Sequence, residues 1–540
     1  MIVFESFYDE VDSGDLALDS GAPASQIDIE SIFRAIAKER DEETSGYYKL
    51  PFDESAISQS LAYIKRHEAH FSRISDIVVV GVGGSSLGLR ALDSALRARF
   101  GAADFCTTNA TKESSKWESG DLESGKSESS TPESSAKNAS QNIARNATQN
   151  TTQNTTPARN LHFLEHTDPF ESARVLAHIE RIGIERAHFI IISKSGTTIE
   201  TSSLLKYLIA RYDLLKRTEH ICCITDYDSP LLHFAQKCGI EALCIDKNVG
   251  GRFSVLSLVG VLPLCLLGYD AKALLEGARA MMEGFFARRE EHILRKAQFL
   301  LAHQKSLPMS VLFAYGSVFS DINKWFVQLW GESLGKLDKH GKHTGLTPIA
   351  LVGSIDQHSF LQLIVQGERD KFVSFLSLKE SAWDEAVNIE TKGAESRKVD
   401  SGKADSALES KGADLAKIDS SKADSGAKSF KTDSSDFIIP PLSLPFLEST
   451  DFVNETPFLR LLNMQKQATQ ETLQSQKIPL DSITLDRLDE WHLGALIAYF
   501  ELLTSCVGAG LLINTYDQPG VEFGKKRLKE MFHDKKAESK

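Results

Sequence analysis

The clearest indication of the fold is the stretch AHFIIISKSGTTIETSSLLKYLIA, which spans residues 187–210. Its first six residues, 187–192, form a short apolar run, which is typical of a buried strand. Residues 193–198 carry four hydroxyl side chains around one glycine, and residues 199–210 place apolar side chains at helical spacing. The stretch therefore predicts a strand, a tight turn and a helix, which is the repeating unit of a parallel α/β sheet.

The same pattern recurs on both sides of this stretch. Residues 76–80 precede a glycine turn and a helix-like segment at 86–99, residues 309–313 precede a predicted helix at 321–337, and residues 371–378 form a further strand candidate. The region beyond residue 455, with a helical segment at 488–503, has few strand features. The sequence predicts an α/β fold of two three-layer domains with mainly parallel sheets, plus a helical C-terminal region. In chain order, the predicted parts are an N-terminal arm at 1–50, a first domain at 51–245, a second domain at 246–455 and the helical region at 456–540.

Two low-complexity insertions interrupt this pattern. Residues 107–158 have almost no large apolar side chains, and residues 384–436 repeat short Lys-x-Asp-Ser units in a Gly/Ala/Ser-rich context. Neither segment can bury enough apolar surface to build a core, so we predict that both are disordered surface insertions.

The composition of the chain disfavours some classes of binding partner and indicates a cellular compartment. Acidic residues outnumber basic ones 74 to 61, giving a formal charge of -13, which disfavours nucleic acid and anionic membranes as partners. The seven cysteines are an odd number and form no CxxC pair, which is typical of reduced thiols in a cytoplasmic protein. The longest apolar run, residues 255–267, is too short to span a bilayer, and the N-terminus lacks the features of a signal peptide. We therefore expect a cytoplasmic location.

The turn at residues 193–198 indicates a phosphate anchor. A dianionic phosphate is held well by hydroxyls and free amide N–H groups at a helix N-terminus, and Ser193, Lys194, Ser195 and Thr198 offer such donors. The alternative is an ordinary capped turn between a strand and a helix.

The glycine turn at residues 81–88 fits no nucleotide motif. A GxGxxG pattern starting at Gly81 meets Ser86 where glycine is needed, and no Gly-Lys-Ser/Thr follows. We expect a close backbone approach to a sugar or phosphate, with Ser85 as a donor.

Four later segments complete a family pattern: GGRFS at 250–254, QLWGESLGK at 328–336, DQHSF at 356–360 and DQPGVEFGK at 517–525. With the two turns, these blocks resemble the glucose-6-phosphate isomerase family, which is built from two sugar-isomerase domains. The blocks occur in family order from Gly81 to Lys525. The resemblance implies reversible conversion of glucose 6-phosphate to fructose 6-phosphate through an enediolate, a step of glycolysis and gluconeogenesis.

The resemblance also implies residue roles. Glu332 would move a proton between C1 and C2, Arg252 would face the enediolate, and His358 and Lys525 would assist ring opening, with Glu200 orienting His358. The substrate-binding residues implied are Gly84, Ser85, Ser193, Lys194, Ser195, Thr198, Gln328 and Gln518. By the same resemblance the protein is a homodimer in which His358 reaches the neighbouring site, and the mechanism needs no metal or cofactor.

The chemistry of an aldose-ketose conversion requires such groups. A carboxylate can remove and return the weakly acidic C–H proton when its pKa approaches the working pH. A guanidinium stays protonated, so it can stabilise the developing oxygen charge without acting as an acid.

Several alternatives stay open at this point. Taken singly, Glu332 could be a surface carboxylate, His358 a structural histidine and Lys525 part of a solvated basic tail. His340 and His343 lie near Asp338, in a Lys/Gly-rich stretch more typical of a solvated loop than of a metal site. The protein could also prefer another hexose phosphate, such as mannose 6-phosphate, or could sense a sugar phosphate without chemistry.

Overall fold

The computed structural model describes residues 2–8, 28–100, 159–382 and 437–538. Both predicted insertions, 107–158 and 384–436, lie outside these residues.

Ten strands form two five-stranded sheets in the described part of the chain. They are β1 (Ile2–Ser6), β2 (Asp76–Val80), β3 (Asn160–Leu164), β4 (Ala187–Ile192), β5 (Ile221–Asp226), β6 (Glu241–Ile245), β7 (Met309–Tyr315), β8 (Thr347–Gly353), β9 (Lys371–Leu378) and β10 (Leu480–Leu485).

Helices cover both sheets. They are α1 (Ile29–Asp41), α2 (Ser55–Arg66), α3 (Glu68–Phe71), α4 (Leu87–Arg97), α5 (Pro169–Ile182), α6 (Ile199–Tyr212), α7 (Pro230–Cys238), α8 (Leu258–Leu267), α9 (Ala271–Phe286), α10 (Glu291–Ala302), α11 (Ser320–Leu334), α12 (Leu361–Gln366), α13 (Phe458–Ser475), α14 (Glu490–Gly510) and α15 (Glu522–Glu538).

The first sheet is entirely parallel, with the strand order β3-β2-β4-β5-β6. Alternate side chains of its strands enter two different apolar clusters. Ile77 and Ile190 pack into the large central core, whereas Val78 and Ile191 pack into a separate cluster on the opposite face. Because both faces are covered, every residue of β2 and β4 is buried, which explains their continuous apolar sequences.

The second sheet is mixed, with the order β1-β10-β9-β7-β8. Its central strands are parallel, and β1 adds at one edge in the antiparallel direction. Leu312 and Leu376 face the central core, while Val311 and Phe375 face a third apolar cluster. The predicted α/β fold of three-layer units with mainly parallel sheets is thus confirmed.

Two strands of the second sheet come from regions where the sequence did not indicate them. The N-terminal arm contributes β1, and the C-terminal region, although mostly helical, contributes β10. The polar side chains of β10 explain why its sequence is a weak strand signal. Asp481, for example, is buried in an ion pair with Lys296 at 2.7 Å.

The long helix α14 lies in the centre of the molecule. By length and composition alone it could cross a membrane, but 89% of its most apolar window is buried inside the fold. It is therefore typical of a core helix, packed between helices such as α9 and α10.

Candidate active site

The loop at 193–198 joins β4 to α6 at the carboxyl end of the first sheet. The buried Ser193 hydroxyl donates to Thr198 Oγ1 at 3.2 Å. Gly196 has φ +67°, and a Cβ there would lie 2.7 Å from the backbone nitrogen of Leu231, so the turn requires glycine. Thr198 is the N-cap residue of α6 but makes no side-chain capping bond. The first turn of α6 therefore leaves amide N–H groups available to an anion.

Of the remaining loop donors, Ser195 and Thr197 lie at the surface, whereas Lys194 is half-buried. The Ser195 and Thr197 hydroxyls are exposed and lie 3.0 Å apart. The Lys194 ammonium donates to the Lys247 carbonyl at 2.7 Å. Burial lowers the pKa of Lys194, and the Arg252 charge adds to this lowering. The Arg252 charge thus acts on Lys194 of the loop.

The glycine turn after β2 packs directly against the turn that carries Arg252. A Cβ on Gly84 would lie 2.3 Å from the carbonyl carbon of Gly251 and 2.6 Å from the Arg252 nitrogen, so a side chain is excluded there. Ser85, the next residue, is partly buried. The first sheet therefore brings both of its loops to the same region as Arg252.

The Arg252 side chain is held by four hydrogen bonds. Its Nε donates to Ser333 Oγ at 2.6 Å, and Nη1 donates to Gln518 Oε1 at 3.3 Å. Nη2 donates to the carbonyl oxygens of Thr515 and Asp517, at 2.6 and 3.0 Å. The residue is only 3% exposed, and burial lowers the pKa of its guanidinium. Arg252 is thus a cation fixed in position before any ligand binds.

Glu332 and Gln328 lie on successive turns of α11, facing this cation. Glu332 Oε1 is 3.7 Å from Arg252 Nη1, and Gln328 Nε2 donates to Glu332 Oε2 at 3.3 Å. The Gln328 amide also lies over the glycine turn, because a Cβ on Gly83 would be 2.6 Å from its Nε2. Gln328 Oε1 is buried with no hydrogen-bond partner among the described residues, so it is available to a ligand hydroxyl.

Lys336 also lies in the site, although it was not among the predicted site residues. Its ammonium donates to the Ser333 carbonyl at 3.0 Å, lies 3.7 Å from Asp517 Oδ1 and is 6% exposed. Burial and the nearby Arg252 charge lower the pKa of Lys336 to about 8. The only sequence feature that pointed to Lys336 was its position four residues after Glu332 in the same motif.

Three predicted residues are not brought together with this group. His358 is exposed and makes no hydrogen bond or ion pair with another described residue, and no contact between it and Glu200 is observed in the described chain. Lys525 lies on the exposed helix α15, where it pairs with Glu522 at 2.7 Å. Within one chain, therefore, the structure assembles the phosphate loop, the glycine turn, Arg252, Gln328, Glu332 and Gln518.

One cluster elsewhere has the composition of a metal site. Asp76 Oδ1 lies 2.8 Å from His162 Nε2 and 2.9 Å from His178 Nε2. Arg181 Nη2 donates to His178 Nδ1 at 3.1 Å, so in neutral His178 the proton is on Nε2 and points to Asp76. These contacts describe a hydrogen-bonded carboxylate, and they hold the pKa of Asp76 low despite its burial.

The family model for phosphoglucose isomerase matches residues 141–432 and 454–540 of this sequence. These residues include the loop at 193–198, Arg252 and Glu332, whereas the glycine turn at 81–88 precedes the matched range. The chain belongs to the phosphoglucose isomerase family.

Related proteins agree with this family assignment. The chain is 40% identical over 377 residues to the glucose-6-phosphate isomerase of Campylobacter jejuni, covering 69% of this chain and 78% of that protein. It is 27% identical to the glucose-6-phosphate isomerase of Thermus thermophilus, covering 92% of this chain and 93% of that protein.

Solved structures support the fold of a phosphoglucose isomerase. A crystal structure of a hypothetical protein from Thermus thermophilus aligns with a TM-score of 0.68 at 24% identity, covering 98% of this chain and 100% of that chain. A crystal structure of a glucose-6-phosphate isomerase from Chlamydia trachomatis aligns with a TM-score of 0.61 at 18% identity, covering 94% and 86%.

Proposed function

We propose that this protein interconverts glucose 6-phosphate and fructose 6-phosphate through an enediolate intermediate, as a step of glycolysis and gluconeogenesis. The observation that carries the proposal is the buried Arg252 guanidinium, 3.7 Å from the Glu332 carboxylate, beside a loop suited to phosphate. A phosphate anchor alone would serve a sensor equally well. A fixed cation next to a carboxylate supplies the two groups that proton transfer next to a carbonyl requires.

The phosphate would bind at the start of α6. The donors proposed are the hydroxyls of Ser193, Ser195, Thr198 and Ser85 and the backbone amide of Lys194. The free N–H groups of the first helical turn and the helix dipole favour the dianion. The substrate would thus be anchored at the end remote from the reacting carbons.

Glu332 is proposed to transfer the proton. In the forward direction it takes the proton from C2 of the open-chain aldose, and the electron pair moves through the forming C1–C2 double bond to the oxygen on C1. Movement of the hydroxyl proton from O2 to O1 places the charge on O2, and return of the proton from Glu332 to C1 with formation of the C2 carbonyl gives the ketose, so no redox partner is needed. Arg252 would stabilise the oxygen charge that develops between the two transfers. Gln328 and Gln518 would hold sugar hydroxyls, since Gln328 Oε1 lacks a partner among the described residues.

Ring opening is proposed to use His358 and Lys525, with His358 supplied by the other subunit of a homodimer. Glu200 is the proposed orienting residue for that histidine. The arrangement within one chain leaves both His358 and Lys525 exposed, which is compatible with a site completed across an interface. Several apolar side chains are also unusually exposed, including Ile355, Phe446, Phe452 and Phe523 at 70%, 97%, 84% and 79%. Where such side chains form a contiguous patch, they mark an association surface, so they are candidates for the dimer interface.

A cytoplasmic location is also proposed, and the net negative charge and the burial of α14 inside the fold support it. The proposed partners are a sugar phosphate and a second copy of the chain, and neither nucleic acid nor a membrane.

A coupled assay of the purified protein with glucose 6-phosphate and fructose 6-phosphate tests the proposal. We expect turnover in both directions, abolished by Glu332→Gln while hexose phosphate binding persists in calorimetry. Including mannose 6-phosphate defines the breadth of the sugar preference. Binding of hexose phosphates by the wild-type protein without any turnover would favour a sensor and contradict the proposal.

A further inference from the structure

The N-terminal arm contributes a half-buried carboxylate to the region behind Arg252. Glu39 lies on α1, outside both sheets, and its Oε2 accepts hydrogen bonds from two tyrosine hydroxyls. The Tyr516 hydroxyl donates to it at 2.5 Å, and the Tyr48 hydroxyl donates at 2.9 Å. Burial raises the pKa of Glu39, and the two hydrogen bonds oppose this change. A carboxylate in such a setting is retained only where its hydrogen bonds compensate for the loss of water.

These groups form a connected network. The Tyr516 hydroxyl also lies 3.1 Å from Ser505 Oγ on α14, and the Tyr47 hydroxyl lies 2.8 Å from the same oxygen. Tyr47 and Tyr48 are at most 1% exposed. Because the network links the arm, the core helix and the C-terminal segment, the Tyr516 ring has little freedom to move.

Tyr516 lies between the two residues whose carbonyls receive the Arg252 guanidinium. Arg252 Nη2 donates to the Thr515 carbonyl at 2.6 Å and to the Asp517 carbonyl at 3.0 Å. Holding the Tyr516 side chain therefore restrains the backbone segment that presents both carbonyls. Glu39 is separated from Arg252 by this one residue and its neighbours.

The same arm also supports the turn that carries Arg252. The Gly46 amide donates to the Asn248 carbonyl at 3.0 Å. The Phe253 ring packs against Tyr47 and Tyr516, with centroid distances of 4.8 and 5.4 Å. The N-terminal arm thus contacts both the turn that carries Arg252 and the segment around Tyr516 whose carbonyls accept its hydrogen bonds.

We propose that Glu39 is a positioning residue for the isomerisation, acting through Tyr516 on the two carbonyls that orient the Arg252 guanidinium. The inference rests on the proposed function, because it assigns Glu39 to the group that stabilises the enediolate. A displacement of the Arg252 guanidinium by a fraction of an ångström leaves the phosphate loop unchanged. The guanidinium then no longer lies where the negative charge of the enediolate develops. The effect therefore belongs to the chemical step and not to substrate binding.

The test compares steady-state kinetics of Glu39→Ala, Glu39→Gln and Tyr516→Phe with fructose 6-phosphate. We expect Glu39→Ala to lower kcat by about 10- to 100-fold, the scale of a small misplacement of a catalytic group, with KM changed by less than about 3-fold. Glu39→Gln keeps an acceptor oxygen and loses less. Because Glu39 acts through Tyr516, the Glu39→Ala/Tyr516→Phe double variant should lose no more than the larger single variant.

Two control variants separate positioning from stability. Glu42→Gln changes an exposed carboxylate at the end of the same helix and should leave kcat unchanged. Tyr269→Phe removes another buried tyrosine-carboxylate bond, from Tyr269 to Asp93 at 2.9 Å, away from Arg252. It should lower the melting temperature as Tyr516→Phe does but keep kcat within about 2-fold, since it leaves the catalytic groups in place.

The outcomes are distinguishable. Wild-type kcat in Glu39→Ala, or additive losses in the double variant, would overturn the positioning role while leaving the proposed function intact. An inactive wild-type protein would overturn the proposed function and this inference with it. If Glu39→Ala does not fold, the Glu39→Gln and Tyr516→Phe variants carry the same test.

Discussion

The proposed site has a buried to half-buried part, Arg252, Gln328 and Glu332, termed the buried half, and an exposed half, His358 and Lys525, and the two are held in different ways. Arg252 has four hydrogen bonds and is 3% exposed, whereas Lys525 has one exposed ion pair and His358 has none among the described residues. The buried half is therefore preorganised by one chain alone. The exposed half lacks such support, which is what a site completed by a second subunit would require.

The largest expected effect concerns the carboxylate of the buried half. Glu332→Gln keeps the shape and the contact with Gln328 but cannot accept the substrate proton, so kcat should fall by about 10² to 10⁴-fold, the range of general base catalysis. A coupled assay measures the rate of isomerisation, and calorimetry with glucose 6-phosphate should show that binding of the substrate persists.

A matched control lies on the same helix. Asp321→Asn removes a carboxylate at the start of α11, where it faces Lys324 at 2.8 Å, and should retain activity. Wild-type turnover in Glu332→Gln would exclude Glu332 as the base.

The cation of the buried half gives the next largest effect. Arg252→Lys keeps the charge but cannot reproduce donation to Ser333, Thr515 and Asp517 together, so the charge no longer sits where the enediolate forms. We expect kcat to fall by about 10² to 10³-fold, as for loss of a preorganised oxyanion partner. The exposed Arg211→Lys, which changes a surface pair with Glu180, is the control. Unchanged kcat in Arg252→Lys would mean that only net charge matters.

The exposed half can be tested by mixing two inactive variants. If His358 acts across the interface, a heterodimer of Glu332→Gln and His358→Gln subunits contains one intact site and one doubly altered site. Random mixing makes half of the dimers heterodimers, so about a quarter of wild-type activity should return. Activity is measured after denaturing and refolding the two variants together.

Refolding each variant alone is the control for that experiment and should restore nothing. No recovery in the mixture, despite dimers in sedimentation, would place His358 and Glu332 in the same subunit.

Strands that are buried by local apolar sequence could be predicted, whereas a strand stabilised by distant residues could not. Strands such as β2 and β4 are buried on both faces, so their apolar runs identify them without any knowledge of their neighbours. Strand β10 carries Asp481 and Ser482 inside the fold, where Lys296 compensates for the aspartate charge. That compensation comes from a residue far away in sequence, so local pattern could not reveal the strand.

The same reason separates the predicted site residues from the missed ones. The turns that carry Gly84, Ser193 and Arg252 have distinctive local sequences. Two acceptors of Arg252 are the backbone carbonyls of Thr515 and Asp517, more than 260 positions away. Because every residue has a backbone carbonyl, the sequence does not show which ones accept a hydrogen bond. Lys336 was present in a recognised motif, but its burial beside Arg252 depends on the assembled fold.

The smallest expected effect concerns Lys336, whose pKa is lowered to about 8 by burial and by the Arg252 charge. Below this pH its ammonium is charged and attracts Asp517, whose carbonyl orients Arg252; above it the charge is lost. We expect wild-type kcat/KM to decline a few-fold above about pH 8, and Lys336→Arg, which stays charged, to move this decline upwards by about one pH unit or more.

The pH dependence of stability provides an independent check on Lys336. Between about pH 8 and 10.5 the unfolded chain keeps a proton that the folded chain has lost, so the contribution of Lys336 to the free energy of unfolding rises with pH over this window. Lys336→Gln should remove that rise in denaturant titrations, whereas the exposed Lys324→Gln should keep it. Asp517 belongs to the segment that joins the buried half to α15 and Lys525. If the decline of kcat/KM above about pH 8 persists unchanged in Lys336→Arg, the two halves are not coupled through this lysine.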